Sequence, residues 1–99
     1  MNSYILKSSS KKGKRFMITM PQFGHSHHFG SETGKAFIDH KDESKKKAWY
    51  ARHKSNKNFN SKHSGIYHSK ELLWTEPTLK KAIKKYEQKH KVKIKNEIK

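Results

Sequence analysis

Apolar and polar residues alternate along the first thirty residues in the manner of short β-strands. Residues 3–7 form one apolar run, and residues 15–20 form another in which Phe16, Ile18 and Met20 stand at every second position. That period places the three side chains on one face of a strand. The polar, glycine-containing stretch between the two runs predicts an antiparallel hairpin.

A third strand is predicted to follow the hairpin. Pro21 ends the second strand, because proline cannot donate a hydrogen bond to a sheet, and residues 22–29 can hold a third short strand. Two strands alone are marginally stable in water, so a third strand or a helix must cover one face of the hairpin.

Helical patterns begin in the middle of the chain. Asp39 is the predicted N-cap of a first helix that runs to about Lys54, with acidic residues in its first turn, where the helix dipole favours them. Trp49 is the one large apolar anchor of that helix. A short helical turn beginning at Ser69 is predicted to carry three apolar side chains, Leu72, Leu73 and Trp74.

Apolar residues at spacings of four, three and four indicate the last helix. Thr75 is its predicted N-cap, and Pro77 is tolerated in a first turn. The stripe that the spacing places on one helix face consists of Leu79, Ile83, Tyr86 and His90. Beyond it, residues 91–95 alternate at period two, which fits a strand, a frayed helix end or disorder.

Together these elements predict an α+β fold, with a small N-terminal antiparallel β-hairpin or three-stranded meander packed on two main helices and a short third helical turn. The predicted organisation is one small basic domain over residues 1–90, followed by a basic C-terminal tail over residues 91–99. Trp49 and the hairpin are expected to cover a core made by Leu72, Leu73, Trp74, Leu79 and Ile83.

The charge balance sets this chain apart from an ordinary small domain. It carries 24 Lys and Arg against 8 Asp and Glu, a formal charge of +16, and hydrophobic residues make up only 30% of its 99 residues. Self-repulsion at such a charge opposes compaction unless an anionic partner neutralises it. Nucleic acid is the commonest such partner, with DNA expected ahead of RNA, and an acidic protein or membrane surface comes next. Because only Arg15 and Arg52 are arginines, contacts are expected to follow the phosphate backbone with little dependence on base sequence.

The predicted contact residues lie on the two main helices, in two ridges of side chains turned away from the apolar stripes. They are Lys45, Lys46, Lys47, Arg52, His53, Lys54, Lys80, Lys81, Lys84 and Lys85. Arg52 and His53 allow two interpretations: a clamp for a phosphate or an acid, or capping of the helix C-terminus with a salt bridge to Asp39 or Asp42. Binding through these ridges should weaken steeply as the salt concentration rises.

The histidines raise the question of a metal site. His25, His27 and His28 cluster, and because alternate residues of a strand share one face, His25 and His27 could chelate an ion together. The chain has no cysteine, and no carboxylate lies within three residues of the cluster. No metal and no cofactor is therefore predicted, and the cluster is expected to be a polar strand or loop.

A loose similarity to the His-Asn-His nucleases raises the hypothesis of a metal-dependent nuclease. It would combine a histidine pair with a later asparagine (Asn56, Asn58 or Asn60) and a later histidine (His63 or His68). Those nucleases need a compact strand–strand–helix motif, whereas a predicted helix separates the pair from the asparagines. The chain has no P-loop, serine elbow or paired carboxylates. No catalytic residue and no small-molecule substrate is therefore predicted, and no apolar stretch approaches the roughly 20 residues of a membrane span.

Several short strings resemble the pattern of a known family. In order, they are His28-Phe29-Gly30, His40-Lys41-Asp42, Arg52-His53, Leu72-Leu73-Trp74 and Pro77-Thr78-Leu79-Lys80, with Ile83 after them. The chain thereby resembles a family of small basic proteins of nucleocytoplasmic large DNA viruses (giant viruses) and their relatives, over about residues 16–84. Lys45-Lys46 and Trp49 stand where that family has a basic pair and an aromatic residue, whereas Ala82 replaces its usual serine and residues 65–70 depart from its pattern.

The resemblance implies a viral setting and a place in the virus particle, and it implies no catalytic residues. With the charge, it favours a non-enzymatic basic nucleic-acid-binding protein, a viral genome-packaging or virion component that neutralises phosphates. The alternative is a minor capsid or cement protein that bridges larger acidic subunits, and a lesser alternative is the histidine-metal nuclease. The expected location is the virion or the viral factory in the host-cell cytoplasm, and the protein is not expected to be secreted.

Overall fold

A four-stranded sheet covered on one face by helices forms the protein, in a computed structural model that describes residues 2–61 and 64–98. The strand order is β3-β2-β1-β4, in which the first three strands form an antiparallel meander and β4 runs parallel to β1. The α+β class and the N-terminal meander predicted from the alternating residues are confirmed. The strands are β1 (Asn2–Ser8), β2 (Lys14–Met20), β3 (His25–Ser31) and β4 (Val92–Asn96).

The helices come from the middle and the end of the chain. They are α1 (Phe37–His40), α2 (Glu43–His53), α3 (Gly65–Ser69), which continues as a π-helical turn (Lys70–Trp74), and α4 (Leu79–His90). A 3-10 turn (Pro21–Phe23) joins β2 to β3. Over the part of the chain that the structure describes, no helix is long and apolar enough to cross a bilayer.

The core lies between the sheet and the helices. Alternate residues of the meander enter it, as the period of two predicts, and Leu72, Leu73 and Trp74 of the π-helical turn pack against them. Leu79 and Ile83 are only half-buried at its margin. Burial of each large aliphatic side chain contributes about 1.5–3 kcal/mol, so this one cluster supplies most of the driving force for folding. The strand residues in the core are Tyr4, Leu6, Phe16, Ile18, Met20, Phe29, Val92 and Ile94.

The last strand lies beyond the predicted domain boundary at residue 90. Lys91 adopts a left-handed conformation with φ 53° and ends α4, and the chain then reverses into β4 beside β1. Val92 and Ile94 are buried, and the amide of Ile94 donates a 2.7 Å hydrogen bond to the Glu87 carboxylate. The segment predicted as a tail is thus part of the sheet, because its partner strand is at the other end of the chain.

The first predicted helix is divided in two. Lys41 has φ 56°, which breaks the helix after α1, and Asp42 then caps α2 by accepting from the amides of Ser44 and Lys45 at 2.9 and 3.2 Å. Asp39, the predicted N-cap, is inside α1 and pairs with Arg15 instead. The predicted end near residue 54 is close to the observed one.

Two other helix starts differ from the prediction. Ser64 caps α3 by accepting from the amide of Tyr67, so the helical segment begins before Ser69. Thr78, and not Thr75, caps α4 by accepting from the amide of Lys81 at 3.2 Å. Both threonines are good capping residues, and only the path of the chain through residues 75–78 decides between them.

Candidate functional site

A cleft of about 780 Å³ opens beside helix α2. Its walls come from the β2–β3 end of the sheet, the loop that follows β3, helix α2, and the helical segment formed by α3 and the π-helical turn. The volume is within the range of 300–1,000 Å³ that is typical of small-ligand sites. The cleft therefore brings together segments that are distant in the sequence.

Five cationic residues line this cleft. They are Lys14, Arg15, Lys35, Lys45 and Arg52. None of the described residues that line it is an aspartate or a glutamate. Both arginines of the chain are in this set. A concave surface that carries one sign of charge between low-dielectric walls focuses the electrostatic potential and attracts anions.

The Arg15 guanidinium is held by Asp39, which is just outside the cleft. Two hydrogen bonds of 2.6 and 2.8 Å join the two side chains, and Asp39 also accepts from the amide of Ala36 at 2.8 Å. Hydrogen bonding to Arg15 lowers the pKa of Asp39 from its ordinary 3.8 to about 2, and hydrogen bonding to Asp39 raises the pKa of Arg15. This pair fixes both the guanidinium and the start of α1.

The other four cations have no ion pair among residues 2–61 and 64–98. Lys14, Lys35, Lys45 and Arg52 are all exposed. The capping interpretation of Arg52 predicted a salt bridge to Asp39 or Asp42, and neither is formed among the described residues. Asp39 pairs with Arg15, and Asp42 caps α2. The cleft therefore keeps a positive charge that the described residues do not compensate.

Aromatic side chains form the floor of the cleft. The rings of Trp49 and Trp74 stack with centroids 5.0 Å apart and planes 12° apart. His53 tilts over Trp49 at 4.7 Å, and His40 lies 5.4 Å from Trp74. Each indole is 8% exposed, so the cleft reaches only their edges, whereas His53 is half-buried.

His40 is held in one tautomer by the chain next to it. Its Nδ1 accepts from the amide of Asp42 at 3.0 Å, so the proton of the neutral ring is on Nε2. That Nε2 is buried and has no hydrogen-bond partner in the described part of the chain. The hydrogen bond from Asp42 thus orients a ring that lines the cleft beside Trp74.

Two glycines allow the walls to approach each other closely. A Cβ on Gly30, which has φ 79°, would lie 2.8 Å from Cδ1 of Leu73 and 3.2 Å from Cβ of Arg15. A Cβ on Gly65 would lie 2.7 Å from the carbonyl oxygen of His28. At Gly65 the helical segment therefore meets the backbone of β3 directly, and at Gly30 the positive φ itself favours glycine.

The structure divides the predicted contact residues of α2 into three groups. Lys45, Arg52 and His53 line the cleft. Lys46 is turned away from it, with its Nζ donating to the carbonyl of Thr75 at 3.0 Å and lying 4.9 Å from the Phe37 ring centroid. Two more of the predicted residues, Lys47 and Lys54, are exposed outside the cleft.

The predicted contact residues of α4 are separate from the cleft. The Nζ of Lys85 donates to Oγ1 of Thr75 at 3.3 Å. Three others, Lys80, Lys81 and Lys84, are exposed and do not line the cleft. The two predicted ridges therefore do not form one surface around the cleft, although Lys46 and Lys85 both reach Thr75.

Sequence reasoning missed three of the five cleft cations, Lys14, Arg15 and Lys35. They lie at the start of β2 and in the loop after β3, where no helical or strand period singles out a lysine. One signal was present in the chain: Arg15 and Arg52 are its only arginines, and both line the cleft. Arginine is the residue whose fork matches phosphate geometry, so its rarity here marks these two positions.

The histidine cluster is divided between the two faces of the sheet. His27 pairs in register with Ile18 on the core face, whereas His28 pairs with Met17 and its Nδ1 is 2.7 Å from Oγ of Ser9. Among the described residues, no group of three or more His, Asp or Glu side chains is arranged to hold a metal ion. The rings of His25 and His27 stack at 6.0 Å, and His27 stacks on His68 at 5.6 Å.

The later histidines of the nuclease hypothesis have different environments. His68 is fully buried, with Nε2 3.0 Å from the hydroxyl of Tyr86 and Nδ1 3.0 Å from the carbonyl of Ser64. His63 lies outside the described residues. Asn60, one of the three candidate asparagines, accepts a 2.7 Å hydrogen bond from the Lys70 ammonium.

Comparison with known proteins identifies a family for the chain. Residues 4–53 match DUF5754, a family of unknown function. The chain belongs to this family. No curated protein and no solved structure matches the chain. The DUF5754 segment runs from β1 to the end of α2 and contains all five cleft cations, whereas the wall formed by residues 65–74 lies beyond it.

Proposed function

We propose that this DUF5754 protein is a non-enzymatic nucleic-acid-binding protein that holds phosphates in the basic cleft. One observation carries the proposal: five cationic side chains from three separate segments converge on a cleft whose described lining includes no carboxylate. A chain with a formal charge of +16 needs an anionic counterpart, and the cleft is the concave place where phosphates would meet several cations together.

The distribution of the remaining lysines supports a polyanion over a small anion. Exposed lysines continue outside the cleft along α2 and α4, among them Lys47, Lys54, Lys81 and Lys84. A chain of phosphates can reach such side chains after it leaves the cleft, and each neutralised phosphate releases counterions. DNA is the first candidate, and the viral setting implied by the short strings belongs to the same proposal, as a genome-packaging or virion component.

The test compares two matched double variants in binding to a fluorescent duplex of arbitrary sequence. Lys45→Gln with Arg52→Gln removes two charges from the cleft, and Lys81→Gln with Lys84→Gln removes two from α4. We expect wild-type affinity to fall with salt with a slope of about −0.9 per phosphate contacted. The cleft variant should bind at least tenfold more weakly than the α4 variant. The absence of binding at low salt, or equal losses in both variants, would contradict the proposal.

A second candidate function, bridging an acidic protein, is favoured by the face of the sheet opposite the helices. On that face Ile5 and Met17 are half-buried rather than covered, and Lys7 is in register with Met17 and Lys95 with Ile5. Lys93, two residues before Lys95 on β4, lies on the same face of the sheet. A small apolar centre surrounded by lysines is complementary to an acidic partner surface, as a minor capsid or cement protein would need.

The two functions are separated by a charge reversal on the open face. Lys7→Glu with Lys93→Glu leaves all five cleft cations in place, so nucleic-acid affinity should fall less than threefold if the cleft is the binding site. The bridging function would instead predict that the same variant fails to join particles assembled without nucleic acid. Incorporation of this variant into such particles at wild-type stoichiometry would eliminate the second candidate.

A further inference from the structure

The cleft combines a cationic rim with an apolar and aromatic floor. The exposed ammonium and guanidinium groups of Lys14, Lys35, Lys45 and Arg52 belong to the rim. The floor offers the half-buried side chains of His53 and Ile66 and the edges of the Trp49–Trp74 pair. Phosphates alone would use only the rim, whereas the floor is suited to a ligand that also has a flat, partly apolar surface.

The floor is organised around Trp49. Its indole is stacked on Trp74 with ring centroids 5.0 Å apart, and the centroid of the Phe59 ring lies 5.9 Å from that of Trp49. His53 is one helical turn after Trp49 and its ring centroid is 4.7 Å from the indole. Because the imidazole is supported from below by a buried tryptophan, its orientation is restricted before any ligand arrives, which lowers the entropic cost of stacking.

A duplex makes little use of such a floor. Its bases are stacked and paired inside the helix, so only its phosphates and groove edges reach a protein surface. A cleft of about 780 Å³ has the size of a small-ligand site and accommodates isolated nucleotides more readily than a helical rod. Single strands, in contrast, can turn their bases outward and stack them on aromatic side chains while cations follow the backbone.

We infer that the cleft binds a single-stranded segment of nucleic acid, with phosphates along the rim and an unpaired base against His53 and the edge of Trp49. This inference rests on the proposed function and specifies its substrate class. The cations come from more than one wall of the cleft: Lys45 and Arg52 are on α2, the helix that carries His53, whereas Lys14 is on β2 and Lys35 is in the loop after β3. A strand passing between these walls would place its backbone within reach of both.

The experiment measures affinity for an oligothymidylate and for a hairpin duplex with the same number of phosphates, at one low salt concentration. Wild type should bind the single strand at least fivefold more tightly than the duplex. His53→Ala should weaken single-strand binding about fivefold or more, which is the effect of losing one stacked base, and should change duplex binding less than twofold. His53→Phe keeps a ring in place and should restore most of the single-strand affinity.

Two controls keep the outcome interpretable. His25→Ala removes an exposed imidazole that does not line the cleft, and it should change neither affinity. Far-ultraviolet circular dichroism of each variant checks that helix α2 is intact. Equal or tighter binding of the duplex, with no effect of His53→Ala, would overturn the single-strand inference and leave the proposed function standing. Failure to bind either oligonucleotide would overturn both.

Discussion

At the scale of single residues, the deepest polar contact of the core joins His68 to Tyr86. Both side chains are at most 1% exposed, and their Nε2 and hydroxyl groups are 3.0 Å apart. The other ring nitrogen of His68 donates to the carbonyl of Ser64, so Nε2 is the acceptor and the tyrosine is the donor. Burial raises the pKa of Tyr86 far above its ordinary value, which keeps the hydroxyl protonated.

Tyr86→Phe should therefore destabilise the protein through His68. Without the hydroxyl, the buried Nε2 of His68 loses this hydrogen bond, and the free energy of unfolding should fall by about 0.5–1.5 kcal/mol. Urea denaturation measures the change. Tyr67→Phe is the matched control, because the hydroxyl of Tyr67 bonds to the less buried His90 at 2.8 Å. A loss in Tyr86→Phe no greater than in this control would contradict the assigned role.

Asp39 gives a prediction with a defined pH dependence. Its pKa in the folded protein, about 2, is below its ordinary value of 3.8, so the unfolded chain takes up the proton first. The stabilisation is fully present above pH 3.8 and is lost as the pH falls towards about 2. Since the two side chains are 26% and 23% exposed, solvent screens the pair and its contribution is about 1 kcal/mol.

Asp39→Asn should accordingly lower the free energy of unfolding by about 1 kcal/mol at pH 6. The difference from wild type should narrow below pH 4 and be largely lost as the pH falls through about 2. Urea titrations at several pH values measure it, and Asp42→Asn, which keeps a capping side chain at the start of α2, serves as the comparison. A difference that stays constant down to pH 2 would show that the Arg15–Asp39 pair is not its source.

At the scale of secondary-structure elements, β4 decides whether the chain ends in a tail or in a fourth strand of the sheet. Ile94 is 8% exposed and sits in the core cluster, whereas the neighbouring Lys95 is exposed. In register, Ile94 is opposite Tyr4 of β1. The two adjacent residues thus have opposite environments, which a disordered tail would not give them.

Ile94→Ala should lower the free energy of unfolding by about 2–4 kcal/mol, because it removes buried methyl groups and leaves a cavity. Lys95→Ala should change it by less than about 0.5 kcal/mol, as expected for an exposed position. Thermal or urea unfolding of both variants measures the contrast. Equal and small effects would mean that residues 92–96 are not held in the sheet in solution.

At the scale of the whole molecule, charge opposes compactness. The protein carries a formal charge of +16 on a body of 36 × 27 × 25 Å. At 0.01 M salt the Debye length is about 30 Å, so charges repel across the entire molecule, and at 0.1 M it falls to about 10 Å. Only three ion pairs are formed among residues 2–61 and 64–98, so screening removes more repulsion than attraction.

Sodium chloride should therefore stabilise the free protein. Between 0.01 and 0.2 M we expect the free energy of unfolding to rise by about 1 kcal/mol, equivalent to about 4–8 °C in Tm for a domain of this size. Differential scanning calorimetry provides the measurement, with sucrose at equal osmolality as the control for solvent exclusion. A Tm that falls or stays constant as salt increases would show that self-repulsion does not limit stability.

The features of the whole molecule that could be predicted from the sequence are those that depend on local patterns or on composition. The period of two at Phe16, Ile18 and Met20 reports which face of a strand is apolar, and that information is local. The stripe of α4 and the anchoring role of Trp49 are local in the same way, and the structure confirms that Trp49 is buried. The charge needs no structure at all, because it is a sum over the chain.

The features that join distant segments of the chain were decided by the tertiary structure alone. The cleft places Lys14, Lys35, Lys45 and Arg52 around one space, although they come from a strand, a loop and a helix. The pairing of β4 with β1 brings the two ends of the chain together. Periodicity records only which way a side chain points within its own element, whereas convergence depends on how the elements pack, and packing is set by shape complementarity across the core.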